Sequence, residues 1–272
     1  MPNDGGQLLD FMKEIGEAAG RVLNDFRGST FTVKRKGDDT YVTDADLASE
    51  KLILDRIRAR FPDDKIYSEE AGLSSPDRTP GSAIWIIDPL DGTTNFANRY
   101  DFFCVSIARG RFAKAGPIAI EHACIHDPVR NKTYLAAKGA GARVNGRPLK
   151  VNATADLKDA FLVTGFFSNT GVDLKKDIMR LYEVAIRCNG IRRDGSAALD
   201  MALVAEGIYD GFWEWGLRPW DVGAGMLLIE EAGGSVLNYP GEPLLPFDVE
   251  KAGLICGALP IVKALSELIQ TV

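Results

Sequence analysis

The segment Ala83-Ile84-Trp85-Ile86-Ile87 constrains the fold more than any other stretch. Five successive apolar residues without polar alternation read as a buried strand, which needs cover from other layers. The run stops at Asp88-Pro89, where the sequence predicts a loop. Upstream, Leu8, Phe11, Met12, Ile15, Ala19, Val22, Leu23 and Phe26 fall on one helical face ending at Gly28. A second helix is predicted from about Ala45 to Arg60, opened by a Thr43/Asp46 capping box and closed by Pro62. From 103 to 151 the pattern is strand-like, broken by turn chemistry at Asp127-Pro128 and Asn145-Gly146.

The second half alternates. It reads as strand 160–166, helices 173–187 and 196–206, strand 210–215, helix 221–232, strand Leu254–Cys256 and a last helix from Pro260. Strands and hairpins followed by strand–helix alternation predict an α/β layered fold. Two lobes, approximately 1–150 and 151–272, are expected within one domain, because no linker separates them and SSPDRTPG (74–81) is short enough for a surface loop. At 272 residues the chain is long enough to bury roughly three quarters of its unfolded surface without disulfides. Its four cysteines (Cys104, Cys124, Cys188, Cys256) are far apart and read as reduced thiols, mostly in the core. The net charge of −6 is the wrong sign for a sequence-blind nucleic-acid binder. Neither a signal peptide nor a membrane span is legible, so a cytoplasmic protein with no membrane or nucleic-acid partner is expected.

Three acidic segments stand out: Ser68-Glu69-Glu70, Asp88-Pro89-Leu90-Asp91-Gly92-Thr93-Thr94-Asn95-Phe96, and Pro219-Trp220-Asp221. Each is read as lying where a strand gives way to a loop or a helix begins, the ends that gather into a crevice in layered α/β folds. Taken singly, Asp88 reads as a turn residue before proline and Asp221 as a helix cap. As a run, Asp88 and Asp91 are read as reaching one point from a turn held by Pro89, with Gly92 and Thr93 offering N–H groups as a phosphate seat. If Glu69, Asp88, Asp91 and Asp221 converge, protons or cations must neutralise them. Like charges about 4 Å apart repel by about 4 kcal/mol at an effective dielectric near 20. All-oxygen ligands favour Mg²⁺ over Zn²⁺.

These residues resemble the inositol monophosphatase family of Mg²⁺-dependent, lithium-inhibitable sugar phosphatases. The first signature is Trp85-Ile86-Ile87-Asp88-Pro89-Leu90-Asp91-Gly92-Thr93-Thr94-Asn95-Phe96. The second is Trp220-Asp221-Val222-Gly223-Ala224-Gly225 with Glu230-Glu231-Ala232-Gly233-Gly234 behind it. Intermediate matches are Val42-Thr43-Asp44-Ala45-Asp46, Ser68-Glu69-Glu70 and Gly195-Ser196-Ala197-Ala198. Ser68 stands where many relatives carry Gly, and Gly223 where Ala is common, which removes no ligand.

The resemblance implies the sugar phosphatase fold, an αβαβα sandwich of alternating helix and sheet layers. It implies two or three Mg²⁺ ions per site. Glu69, Asp88 and the Leu90 carbonyl would hold the first; Asp88, Asp91 and Asp221 the second; Glu69 would help hold a weaker third. Thr93 would orient the attacking water with Asp46 supporting it, and the Gly92 and Thr93 N–H groups would cradle the phosphate. Ring hydroxyls of the substrate would meet Asp91, Gly195, Ala197 and Glu214. The expected activity is hydrolysis of a small-molecule phosphate monoester, myo-inositol 1-phosphate first. Histidinol phosphate, fructose 1,6-bisphosphate and nucleotide 3′-phosphates are the alternatives. A homodimer is expected by analogy, and the competing non-enzyme reading is a regulator that binds transcription machinery.

Other signals read as structural. His122, Cys124 and His126 would share one strand face without a fourth ligand. Gly139-Ala140-Gly141 reads as a hairpin turn rather than a dinucleotide loop. Lys34-Arg35-Lys36 reads as a solvated loop, with the competing view that Lys36 assists the third metal. Phe212, Trp213 and Trp215 beside Trp220 read as core, with Glu214 between the rings available to a polyol.

Overall fold

In the computed structural model, which describes residues 4–35, 41–113, 118–166 and 172–272, the strand Ala83–Asp91 is buried along its whole length. Its side chains alternate between two cores. Ile84 and Ile86 pack with the helices Ala197–Ala205 and Pro219–Glu231, whereas Trp85 and Ile87 pack beneath the helices Asp4–Arg27 and Asp44–Arg60. Over Ala83–Ile87 both faces of the strand meet apolar layers, which accounts for the unbroken apolar run there.

The strand lies inside an eight-stranded sheet. Across that sheet the order is Arg147–Pro148, Ala142–Val144, Lys132–Ala137, Ile118–Asp127, Cys104–Phe112, Ala83–Asp91, Lys65–Ser68 and Gly72–Leu73. Pairing is antiparallel except between Lys65–Ser68 and Ala83–Asp91. A five-stranded sheet follows in the order Gly190–Arg192, Phe161–Thr164, Gly211–Glu214, Leu254–Gly257 and Ser235–Leu237. Helices Ala197–Ala205 and Pro219–Glu231 fill the space between the sheets, and Val172–Ala185 and Leu259–Ile269 cover the far side of the smaller one. The layers therefore run helix, sheet, helix, sheet, helix. Among the described residues no helix is long and apolar enough to cross a membrane.

Local chemistry places most boundaries. Thr43 caps the helix Asp44–Arg60 in a reciprocal box with Asp46, as its spacing predicts. Asn145 (φ 48°) and Gly146 (φ 82°) take the paired left-handed conformations of a tight hairpin turn. The edge strands Gly190–Arg192 and Ser235–Leu237 have only three residues each, too few to show a period, and sequence reading misses them.

One expectation is corrected. The central strand does not end at Asp88-Pro89 but continues to Asp91 through a bulge. Asp88 pairs with Ser106 and Asp91 with Cys104, so three steps on one strand oppose two on the other. Pro89 has no N–H to give the ladder, and the extra residue absorbs that gap. The bulge inverts the side-chain phase. In a regular strand positions 88 and 91 would face opposite sides; here Leu90 joins the outer core with Trp85 and Ile87, and Asp91 turns inward beside Asp88.

Candidate active site

The inward turn brings Asp91 under the start of the helix Ala197–Ala205. Its Oδ2 accepts hydrogen bonds from Ser196 Oγ at 2.6 Å and Ala198 N at 2.7 Å. The Cys104 thiol lies 3.8 Å from the same oxygen. Asp88 accepts from Leu90 N at 3.0 Å, inside its own bulge. Asp221 sits in the first turn of Pro219–Glu231, a helix that begins two residues earlier than predicted, and accepts from Arg218 N at 2.7 Å. It therefore caps its helix and faces the other carboxylates at once. Glu69 follows the strand Lys65–Ser68, and its N–H donates to Ile87 O at 3.1 Å.

These four groups lie within electrostatic range of one another. Burial pushes the Asp88 carboxyl well above the usual range, and Glu69, Asp91 and Asp221 each push it further. Asp221 rises for the same reasons, desolvation first and Asp91 next. Asp91 is raised to about 6, chiefly by desolvation and against the pull of its Ser196 and Ala198 hydrogen bonds. Among the described residues no lysine or arginine forms an ion pair with Asp88, Asp91 or Asp221. Lys34 and Arg35 are exposed on the short strand Val33–Arg35, and Lys36 lies outside the described residues.

The donor set suits a hard divalent cation. It consists of carboxylate oxygens, without imidazole, and its full ionisation is uphill unless positive charge enters. Among the described residues no three acidic, imidazole or thiol side chains already stand at the spacing of a closed metal cage. The carboxylates are thus gathered to electrostatic range rather than drawn to coordination distance.

Beside them, Asp46 is fully buried and accepts from Thr43 N (2.8 Å), Thr43 Oγ1 (2.5 Å) and Thr93 Oγ1 (2.9 Å). Desolvation raises it to about 6 in spite of those three donors. Thr93 Oγ1 also lies 3.1 Å from Leu90 O, so one hydroxyl proton has two acceptors within reach. Gly92 precedes the short helix Thr93–Ala97 at φ 96°, and a Cβ there would stand 3.0 Å from Phe102 O. Both the backbone and the space at position 92 demand glycine.

The residues expected to meet the substrate hydroxyls lie close to this group, with Asp91 and Glu214 within electrostatic range of each other. Asn95 Nδ2 donates to Phe102 O (2.7 Å) and Asp194 O (2.8 Å), tying Gly195 and Ala197 to the first signature. Glu214 ends the strand Gly211–Glu214; burial raises it to about 8, Arg193 opposes the rise and Asp91 adds to it. The reading of Glu214 as set among three rings is corrected. Strand alternation sends Phe212 into the core between the sheets and Trp213 to the far side of the five-stranded sheet, where Trp215 packs on Tyr239.

Several residues at the site went unread in the sequence. Ser196 and Ala198 hold Asp91, although the Gly195-Ser196-Ala197-Ala198 motif was visible. Glu50 accepts from Ser68 Oγ (2.5 Å) and Ala71 N (3.0 Å), bracing the loop of Glu69 from a helix position that looks solvent-facing by composition. Asp200 is buried with an unpartnered Oδ1, and desolvation plus Asp194 and Glu214 hold its pKa well up. The structural readings of other motifs are consistent with the geometry. Gly16 and Gly20 abut Cys124 and His126 from the first helix, and His126 Nδ1 lies 3.0 Å from Thr133 Oγ1. Gly139 N and Gly141 N donate to the Glu231 carboxylate at 2.7 Å each, which pins that turn to the second signature.

Known proteins resemble this chain in sequence and in fold. The inositol monophosphatase family model matches residues 6–272. The chain is 39% identical to the Nus factor SuhB of Pseudomonas aeruginosa, covering 97% of this chain and 96% of that protein. It is 38% identical to an inositol-1-monophosphatase of Synechocystis sp., covering 89% and 83% respectively. Among solved structures, the extragenic suppressor protein suhB from Bartonella henselae superposes with a TM-score of 0.88 at 33% identity, over 97% of this chain and 98% of that one. Inositol monophosphatase from Anabaena (Nostoc) sp. gives 0.84 at 36% identity, over 99% and 98%. With the layered fold and near-complete coverage in agreement, the chain belongs to the inositol monophosphatase family.

Proposed function

We propose that this chain is a Mg²⁺-dependent phosphomonoesterase acting on a small polyol phosphate, myo-inositol 1-phosphate first. The observation that carries the reading is the group Asp88, Asp91 and Asp221, held together with raised pKa values and no ion-pair partner among the described residues. Glu69, Asp88 and the Leu90 carbonyl would hold one ion, Asp88, Asp91 and Asp221 a second, with Glu69 toward a weaker third. When bound, such ions acidify water and neutralise charge on the leaving oxygen. The chain's own part is placement. Thr93 Oγ1, donating to Asp46 Oδ1, presents its lone pairs to the attacking water. The Gly92 and Thr93 N–H groups receive the phosphate oxygens, and Asp91, Gly195, Ala197 and Glu214 receive the ring hydroxyls. The two lobes, about 1–150 and 151–272, act as one domain because one core spans both sheets.

Phosphate release from inositol 1-phosphate, histidinol phosphate, fructose 1,6-bisphosphate and adenosine 3′,5′-bisphosphate tests the reading. Exhaustive chelation should lower turnover by at least about 10²-fold and Mg²⁺ should restore it. Chelated protein that works at full speed would sink the metal assignment. The relatives named Nus factor SuhB favour a second reading, binding to transcription machinery. An inert panel combined with retained binding to those factors would select it.

Glu214 gives a second test. Assayed at pH 9, above the raised value of about 8 at which Glu214 ionises, Glu214→Gln removes a charged acceptor of ring hydroxyls and should raise KM for inositol 1-phosphate by about tenfold, the worth of one charge-assisted hydrogen bond. Mg²⁺ affinity should stay near wild type. Loss of metal binding, or an equal loss on every substrate, would contradict the role.

A further inference from the structure

Gly165 follows the strand Phe161–Thr164, and nothing in its backbone calls for glycine. Its φ lies outside the left-handed region that Gly92 (φ 96°) and Gly195 (φ 86°) occupy. Space is the only constraint on it. A Cβ built on Gly165 would fall inside the Glu214 carboxylate: the three nearest heavy atoms are Glu214 Oε2, Cδ and Oε1. The parallel register explains why. Val163 pairs with Phe212 and Thr164 with Trp213, so position 165 stands abreast of Glu214. Thr164 Oγ1 donates to Trp213 O at 2.7 Å and locks that register.

The next residue holds the opposing charge. Arg193, the cation that pulls against Glu214, donates from Nη2 to Phe166 O at 3.0 Å, with its guanidinium carbon 5.1 Å from the Phe166 ring centroid. Positions 165 and 166 thus stand against both the Glu214 carboxylate and the tether of the Arg193 guanidinium.

We propose that Gly165 is a specificity-determining positioning residue, whose missing side chain is the seat that lays the Glu214 carboxylate across the strand end and aims it at the polyol. The proposal rests on the reading of Glu214 as the polyol-binding carboxylate. It predicts that residue 165 acts on substrate choice only through Glu214. A methyl group at 165 is compatible with the backbone, and its three nearest atoms all belong to the Glu214 carboxylate, so it must swing that carboxylate off its seat.

The test is a double-mutant cycle of Gly165→Ala and Glu214→Ala, read by kinetics and by melting of the metal-free protein. In the wild-type background, Gly165→Ala should raise KM for inositol 1-phosphate by about tenfold while kcat falls by less than roughly threefold. The ratio of kcat/KM for inositol 1-phosphate to that for p-nitrophenyl phosphate, which has no ring hydroxyls, should fall by about tenfold. The melting temperature should also drop. In the Glu214→Ala background the same substitution should change neither the ratio nor the melting temperature, because the obstacle is gone. Equal effects in both backgrounds would overturn the proposal, as would an unchanged ratio in the single variant. If Gly165→Ala alone fails to fold, recovery of folding in the double variant supports the seat and continued failure refutes it. Should the wild type hydrolyse no polyol phosphate, the functional reading falls, while the melting cycle still decides whether Gly165 seats Glu214.

Discussion

Asp91→Asn is expected to lower phosphate release on the order of 10³-fold while leaving the metal-free protein at least as stable as wild type at neutral pH. The activity half follows from charge, since asparagine keeps the shape of Asp91 but offers a neutral ligand where the proposed second ion needs an anion. The stability half follows from the geometry. The asparagine Oδ1 can take over the hydrogen bonds that Ser196 Oγ and Ala198 N now give to Asp91 Oδ2. What it removes is a carboxyl whose pKa is raised from 3.8 to about 6 in the folded chain, chiefly by burial. A group raised in this way supports the fold fully below its unfolded pKa, and that support is lost as pH rises through the folded value. At pH 7 the metal-free wild type has therefore given up as much as about 3 kcal/mol, which Asp91→Asn does not lose. Melting without metal should show the variant level with or above wild type at pH 7 and the gap closing toward pH 4. Early unfolding of the variant at pH 7 would make Asp91 a structural turn residue. Near-normal activity would remove it from the metal set.

The largest stability effect is expected from Trp85→Ala. The ring is fully buried and meets Phe11 and Phe61 at centroid distances of 6.1 and 5.5 Å. Its Nε1 donates to Asp64 Oδ2 at 2.9 Å, and the Arg109 guanidinium, itself bound to Asp64, lies 5.5 Å from the ring centroid. Truncation opens a cavity between the first two helices and the sheet and strips cover from a buried ion pair. A loss of about 4 kcal/mol follows from large-to-small substitution in a core. The melting temperature should fall by roughly 10 °C. A fall under about 3 °C would mean that the ring is not packed in this way.

Trp85 also marks how far the sequence could be read. The unbroken run from Ala83 to Ile87 announces a strand covered on both faces because nothing polar interrupts it. Thr43 and Asp46 announce a helix start because the capping box closes within four residues. Asn145-Gly146 announces a hairpin because left-handed φ values are costly for most other residues. In each case the partners are adjacent in sequence, so the energetics are local and visible in the letters. The acidic segments were visible for the same reason: a carboxylate beside Pro or Gly at the end of an apolar run is a local pattern.

Distant register decided the rest. Whether Asp88 and Asp91 share a face depends on a bulge against Ser106 and Cys104, and a one-residue shift would send Asp91 to the other core. Phe212, Trp213 and Trp215 look like one aromatic group, yet pleating divides them between two cores that exist only once both sheets are covered. Glu50 bracing Ser68, Ser196 holding Asp91 and Gly165 underlying Glu214 span 18, 105 and 49 positions along the chain. Their spacing carries no period that a linear reading could detect. Residue chemistry named the carboxylates and the elements that carry them; the bulge and the packing of two helices between two sheets chose which of them face one another, because contact across a core depends on register rather than on composition.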